Sequence, residues 1–481
     1  MGSGLSGPPR QPAEMRGCSL CCGSRSVLCD QAEHVGNTYR GIQGSIKIDQ
    51  QTMLYPMFVM KVSDALELPK VEDHQELLAK GKVTVFSLGM EAIFVSHQWL
   101  ARAHPDPDQR QFAVLQDALQ NIIGGMRVYD CRTSIWLLPQ IGSYLAGDQG
   151  RNLADAYIWY DYFAIPQVTS ARASATVCED LGAAVSSIPA YVENCAHFFV
   201  LAPPLLHKDN GTLCNRHSWS ERGWCRAELV ARTFSCREAG PVCVISQGSL
   251  AVKTFPFAWI ECLPRYGDFS VEEDRKKVCG FMTKCMRRRA GKFLADNRLF
   301  EFRFLQAMLA HASGDEERVE TIDVWLENYK FSEPRSDGPY GWAPIHFAAL
   351  EGNLPILSSI FAAGERVDRK TTGHQIEFSA WPEHTPLTII AMFVPDSSLA
   401  VDVTKGLLAM RADANTKSCS FNRSPLNWAA NGAARDPALC ALLLEEGGAL
   451  EDADDLGFTP LASACHQCPG ASKPCSQSLT R

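Results

Sequence analysis

One short pattern recurs four times in the last third of this chain, and it constrains the fold more than any other feature. The first two units are Gly341-Trp342-Ala343-Pro344-Ile345-His346-Phe347-Ala348-Ala349 and His384-Thr385-Pro386-Leu387-Thr388-Ile389-Ile390-Ala391. The others are Arg423-Ser424-Pro425-Leu426-Asn427-Trp428-Ala429-Ala430 and Gly457-Phe458-Thr459-Pro460-Leu461-Ala462-Ser463-Ala464. Their prolines stand at 344, 386, 425 and 460, so they lie 42, 39 and 35 residues apart. Proline suits the first position of a helix, where its missing N–H would have no partner anyway. The small alanines that follow let paired helices approach closely. No single unit buries enough apolar surface alone, so about three or more must stack. The spacing predicts a linear stack of helix pairs.

These units resemble the ankyrin repeat, whose T-P-L-H-x-A pattern recurs about every 33 residues. Leu407-Leu408 and Leu442-Leu443-Leu444 stand where its second helix would be. Arg411-Ala412-Asp413-Ala414-Asn415 and Gly447-Gly448-Ala449 stand where its β-turn would begin. The resemblance implies an all-α ankyrin-repeat solenoid over 341–465 that binds a partner protein. Two stretches, His374 to Glu383 and Pro395 to Val403, exceed the ideal repeat and predict irregular stacking. Residues 291–340 read as a helical linker or cap, with Phe302, Leu305, Met308 and Leu309 on one face. Variable side chains choose an ankyrin ligand, so no motif names the partner.

A chain of 481 residues is too long for one ordinary core, and its 46% hydrophobic and 21% charged residues are those of a globular protein. The net charge of −8 speaks against nucleic acid as a partner. One basic stretch, Arg275 to Lys292 with Arg287-Arg288-Arg289 inside it, reads as a solvated helix face or linker, against a nuclear-import or phosphate-binding segment. Nineteen cysteines are an odd number, scattered through core-like segments. No apolar leader is visible and no run approaches the ~18 apolar residues of a membrane span. The expectation is a cytoplasmic protein with reduced thiols.

Residues 1–44 are rich in Gly, Ser, Pro and Cys and read as a disordered tail, as does 466–481. Met1-Gly2-Ser3-Gly4-Leu5-Ser6 fits an N-myristoylation pattern with Gly2 as acceptor. One acyl chain anchors only marginally, so Cys18, Cys21 and Cys22 are the candidates for a second, palmitoyl signal and peripheral membrane association. The alternative is a plain tail with incidental cysteines. Cys18-x-x-Cys21 lacks a second ligand pair at finger spacing, and Cys465-His466-Gln467-Cys468 with Cys475 offers ligand types only, so no metal site is assigned. Neither a phosphate loop nor an H-E-x-x-H motif is present.

Residues 45–290 alternate short apolar runs with amphipathic segments, which predicts an α/β domain. Ala92 to Val95, Tyr157 to Tyr160, His197 to Leu201 and Val242 to Ile245 read as strands. Phe112, Leu115, Leu119 and Ile122 mark one helix, and Cys178 to Val185 and Trp224 to Phe234 mark two more. All but the last strand end in polar or proline-rich loops, where an open parallel sheet binds its ligands.

The order Phe94-Val95-Ser96-His97, Trp159-Tyr160-Asp161 with Pro166-Gln167, and Arg222-Gly223-Trp224-Cys225-Arg226-Ala227-Glu228-Leu229 resembles the Toll/interleukin-1 receptor (TIR) superfamily. It is closer still to the related heterokaryon-incompatibility domains of fungi. The resemblance spans some 150 residues with large gaps, and neither 45–90 nor Gly124 to Ala156 has a counterpart in it. It implies a flavodoxin-like (TIR-like) parallel sheet, signalling by self-association into a homo-oligomer and, in many members, cleavage of NAD. Glu228 then stands in the place of the catalytic carboxylate, with Trp224, Ser96 and Asp161 bordering an NAD crevice. A single negative charge beside the ribose would ease departure of nicotinamide, which leaves an oxocarbenium-like sugar. The competing reading pairs Glu228 with Arg232 as an ordinary i,i+4 ion pair and places Trp224 in the core. Cys225 with His97 as thiol and base finds no local support beyond residue type.

Overall fold

The apolar runs assemble into one mixed sheet. The computed structural model describes residues 53–130, 148–168, 174–235, 241–253, 259–313, 320–375, 378–418, 421–433 and 437–467. The lipidation pattern at Gly2, Cys18, Cys21 and Cys22 lies outside these residues, as do Cys468 and Cys475. The strands are β1 (Phe58–Lys61), β2 (Val83–Val85), β3 (Ala92–His97), β4 (Tyr129–Asp130), β5 (Tyr157–Tyr160), β6 (His197–Leu201), β7 (Leu205–Leu206), β8 (Leu213–Cys214), β9 (Val242–Gln247) and β10 (Leu250–Lys253). Eight of them form a sheet of order β2-β1-β5-β3-β6-β9-β10-β4, and β7 and β8 make a separate hairpin.

The centre of the sheet is parallel: β3 pairs with β5 on one side and β6 on the other, and β6 pairs with β9. Every residue of β3 is buried, as expected of a strand covered on both faces. Register places Phe94 between Trp159 and Phe198, whose rings stack on it at 4.3 and 5.2 Å. The chain runs from β3 to β5 on one side, then crosses to β6 on the other. The strand order therefore reverses beside β3, where ligands enter open sheets of this kind at the carboxyl ends. Antiparallel pairs β1–β2, β1–β5 and β9–β10 flank this parallel centre. The chain is thus α/β at its first level.

Helices α1 (Val62–Glu67) and α2 (His74–Ala79) join β1 to β2, and α3 (Arg110–Ile123) follows β3. Short α4 (Asp148–Asn152) precedes β5, while α5 (Asp161–Ala164), α6 (Ala175–Ser186) and α7 (Ile188–Asn194) lead on to β6. Then α8 (Arg216–Glu221) and α9 (Gly223–Thr233) lead to β9. The start of α9 is held against the turn 264–268, where a side chain at Gly223 would meet the Phe269 ring at 2.0 Å. Gly267 faces the same constraint, because its Cβ would lie 2.7 Å from the Gly223 Cα. Only glycine permits this approach.

Helix α10 (Glu272–Ala295) corrects one expectation, because the boundary drawn at 290 falls inside it. The basic stretch Arg275 to Lys292 forms a helix face with Lys276, Lys277, Lys284 and Arg287 exposed, and the opposite face is buried. Val278, Cys279, Met282, Cys285, Met286, Ala290 and Phe293 are buried along it. Arg288 pairs with Glu193 at 2.7 Å, and Arg289 lies over the Phe293 ring. Glu272, Glu273 and Asp274 at its start and Lys292 at its end complement the helix dipole.

After α10 the chain is helical: α11 (Leu299–Ser313), α12 (Ile322–Asn328), α13 (Pro344–Glu351), α14 (Leu354–Ala362), α15 (Pro386–Phe393), α16 (Ser397–Ala409), α17 (Pro425–Asn431), α18 (Pro437–Glu445) and α19 (Pro460–Gln467). The four repeat prolines each open a helix. The residue two places after each of the first three turns back to accept from its own helix start. His346 Nδ1 takes the Ala343 N–H at 2.9 Å, Thr388 Oγ1 that of Thr385 at 2.8 Å, and Asn427 Oδ1 that of Ser424 at 3.3 Å. Burial pushes His346 down to about 4, so its imidazole is neutral and free to accept there. Helices α11, α13, α15, α17 and α19 pack one on the next.

The two long stretches are accommodated in different ways. Pro395 to Val403 runs into α16, a 13-residue helix where α14 and α18 have 9 each. The other stretch turns inward: Phe378 packs against Trp259, Phe293, Phe300 and Phe304. The insertion is a plug. One apolar core consequently runs from Val230 on α9 and Phe234 just past it to Ala464 on α19. The other faces of α9 and α10 enter the sheet's core through Leu229, Ala231 and Val278.

Candidate functional site

Helix α9 brings a carboxylate to the carboxyl end of β3. Ser96 Oγ donates to Glu228 Oε2 at 2.5 Å and accepts from Trp219 Nε1 at 3.0 Å. His97 Nε2 lies 2.8 Å from Asp161 Oδ1, and Trp99 Nε1 donates to Asp161 Oδ2 at 2.8 Å. His97 also stacks on Tyr160, with centroids 4.0 Å apart. Its Nδ1 faces Gln111 Oε1 at 2.9 Å, and Gln111 is oriented by donating Nε2 to the Gln98 carbonyl. Both imidazole nitrogens face side-chain oxygens of Asp161 and Gln111, an arrangement that the doubly protonated ring satisfies, and the Tyr160 hydroxyl lies 3.4 Å from Nδ1.

The electrostatics agree with that assignment. Burial works against a charged His97, but the Asp161 carboxylate outweighs it and holds the imidazole above its ordinary pKa. Burial alone would raise Asp161; the facing imidazolium and the Trp99 N–H bring it below the usual carboxylate range. Glu228 has no such cation in contact. Burial pushes it up to about 8, with the Ser96 hydroxyl offsetting part of the rise and the Asp161 charge adding to it. At neutral pH the cluster holds an imidazolium–carboxylate pair beside a largely protonated acid.

Ser96 and Glu228, singled out in the sequence, bond to each other, and Asp161 bonds to His97, the next residue along β3. Trp224 does not line this site. Its Nε1 donates to Asp274 Oδ2 at 3.2 Å and its ring packs beside Phe281, so the indole belongs to the α9–α10 contact. The ion pair of Glu228 with Arg232 is not formed either. Arg232 donates Nη1 and Nη2 to the carbonyls of Cys195 and Ala196, each at 2.7 Å, just past the end of α7. Cys225 donates Sγ to the His97 carbonyl at 3.7 Å, and burial drives its thiol well above the ordinary range, so no thiolate is available. Trp99, Gln111 and Trp219 were not foreseen as members. Only Trp99 had a local signal, since it stands two residues past the end of buried β3.

A cleft of about 610 Å³ opens elsewhere, between the 264–266 turn and the start of α16, lined by Tyr266, Pro395, Asp396, Ser397, Val401 and Asp402 among others. None of its lining residues belongs to the cluster. Among the described residues no three His, Cys, Asp or Glu side chains gather as a metal would require. No described helix is long and apolar enough to cross a membrane. Fold and cluster define an α/β chain with a buried acid–imidazolium site at the strand reversal and a stack of helix pairs behind it. The chain matches no family model, and no curated protein aligns with it.

Proposed function

We propose that this chain is an intracellular signalling scaffold. An ankyrin-type array captures a partner protein, and a TIR-like α/β domain self-associates or recruits. The observation that carries this reading is the serial packing of α11, α13, α15, α17 and α19 with exposed turn tips between the helix pairs. Such a stack presents an extended surface whose side chains vary without disturbing the core. The parallel order β5-β3-β6-β9 also supports it, being the 2-1-3-4 order of flavodoxin-like sheets. Arg366 and Asp455 are exposed at two of the tips. Partners crosslinked to the full chain in an extract of its own cells should be lost from the variant Arg366→Glu/Asp455→Lys, with helicity unchanged. Retention of the same partners would overturn the assignment.

The second reading is an NAD-cleaving enzyme regulated by its repeats, and the cluster favours it specifically. Glu228 lies at the strand reversal, bonded to Ser96 beside the His97–Asp161 pair, and this reading requires the buried site to open to NAD. Because that carboxylate ionises near pH 8, nicotinamide release by the purified chain should rise as pH passes through about 8. Glu228→Gln should lower the rate about a hundredfold or more. Release that ignores the substitution, or no release from NAD at all, removes this reading.

A further inference from the structure

Ser96, His97 and Glu228 are all buried, so a molecule that reacts there needs a way in. Two segments meet beside the carboxyl end of β3, and each brings a tryptophan to the site. Residues 98–108 run on from β3 and carry Trp99 to Asp161. Residues 202–221 run on from β6 and carry Trp219 to Ser96.

The two segments are held differently. The first is tied to the body of the domain through buried Asp106, which accepts the N–H groups of Arg110 and Phe112 at the start of α3. The second contains the β7–β8 hairpin, whose strands pair with each other and, among the described residues, do not join the main sheet. Its buried side chains, Leu205 and Cys214, gather with Leu100 in a small cluster apart from both large cores. Leu206 and Leu213, opposite each other on the hairpin, are 64% and 52% exposed. Its polar ties run to the first segment. Lys208 donates its N–H to the Leu100 carbonyl at 2.6 Å, and Asp209 Oδ2 accepts the Arg102 N–H at 2.7 Å. The Lys208 ammonium pairs with Asp108 at 2.8 Å, but both side chains are more than half exposed, and such pairs contribute little. A segment with so few buried apolar contacts opens ahead of the whole fold.

We infer that the hairpin is a latch on the acid site: when it lifts from Leu100, Trp219 is released and Ser96 and Glu228 open to solvent. The link between them is short. β8 ends at Cys214, and Asn215 caps α8 by accepting the Ser218 N–H at 3.1 Å. The Ser218 hydroxyl accepts the Asn215 N–H and donates to Gln98 Oε1, each at 2.8 Å. Ser218 thus joins the foot of the hairpin to a residue two places past Ser96, and Trp219 is its neighbour in α8. Withdrawing the hairpin pulls on that junction and loosens the indole from Ser96. This inference rests on the second reading above, in which the site must open to NAD, and makes the hairpin the control of that opening.

Native thiols report each position. Cys214 lies in the cluster under the hairpin, Cys225 Sγ lies 3.7 Å from the His97 carbonyl oxygen, and Cys243 stands in the core of the sheet. In maleimide labelling of the full native chain, resolved by peptide mass spectrometry, Cys214 and Cys225 should react at least about tenfold faster than Cys243. Lys208→Ala/Asp209→Ala alters two exposed side chains and should speed both about fivefold, with Cys243 and the helicity unchanged. If Cys225 only keeps pace with Cys243 in both proteins, the site opens by unfolding of the whole domain and the latch is overturned. The latch is equally overturned if Cys214 speeds up in the variant and Cys225 does not. If both speed up but NAD yields no nicotinamide, the latch stands and the NAD-cleaving reading falls.

Discussion

Replacing Phe378 by alanine should cost the full chain about 3–5 kcal/mol, the usual loss for truncating a buried phenylalanine. The ring is 5% exposed and lies 5.1 to 6.4 Å, centroid to centroid, from Phe304, Phe300, Phe293 and Trp259. Those neighbours come from the segment after β10, from α10 and from α11, so several separate elements would share the resulting void. They are held by the backbone of two packed helices and cannot collapse into it without moving. Urea unfolding read by tryptophan fluorescence and by helicity would give the change, and both probes should shift together. A loss under about 1 kcal/mol would mean that the 374–383 insertion merely lies on the surface.

The second large effect is a pH dependence. Glu228 ionises near 8 in the fold and in the ordinary carboxyl range when unfolded, so its neutral form is the one the fold prefers. A raised folded pKa contributes stability that is complete below the unfolded value and is lost as pH rises through the folded one. The window therefore runs from about pH 4.5 to about 8, with stability falling by up to about 1.4 kcal/mol per pH unit within it. The whole swing is on the order of 5 kcal/mol. Glu228→Gln keeps the shape and cannot ionise, so the variant should gain on the wild type as pH rises from 5 to 8. Parallel stability curves for the two proteins would show that Glu228 ionises freely in the fold.

Much of this architecture was legible because the decisive residues repeat or cluster locally. The strands β3, β5, β6 and β9 are runs of four to six residues, mostly buried, and their apolar character announces them. The repeat prolines announced their helices because proline is tolerated at one place in a helix and nearly nowhere else. The short β1 and β2 carried no such signal: Phe58 to Lys61 and Val83 to Val85 are too brief for an alternation to show. In α10 the basic residues alternate with the buried ones, so a composition boundary was drawn through a continuous helix. Phe378 looked like part of a loop since its neighbours are distant in sequence. The cluster was half legible for the same reason. Ser96, Asp161 and Glu228 stand at strand or motif positions, whereas Trp219 reaches Ser96 across 123 residues, which no local pattern encodes.

The sharing of α9 and α10 between two cores bears on how such a chain can be cut and inherited. The sequence reads as a cassette, a catalytic-looking module followed by an interchangeable array. Yet a break near residue 290 would cut through α10, which packs along α11, and a break before α9 would remove Glu228 from Ser96. Neither piece would keep a closed interior. A recombination event that exchanged the array would have to carry α10, α11 and the Phe378 plug along with it, so this lineage can diversify its turn tips far more readily than swap its arms.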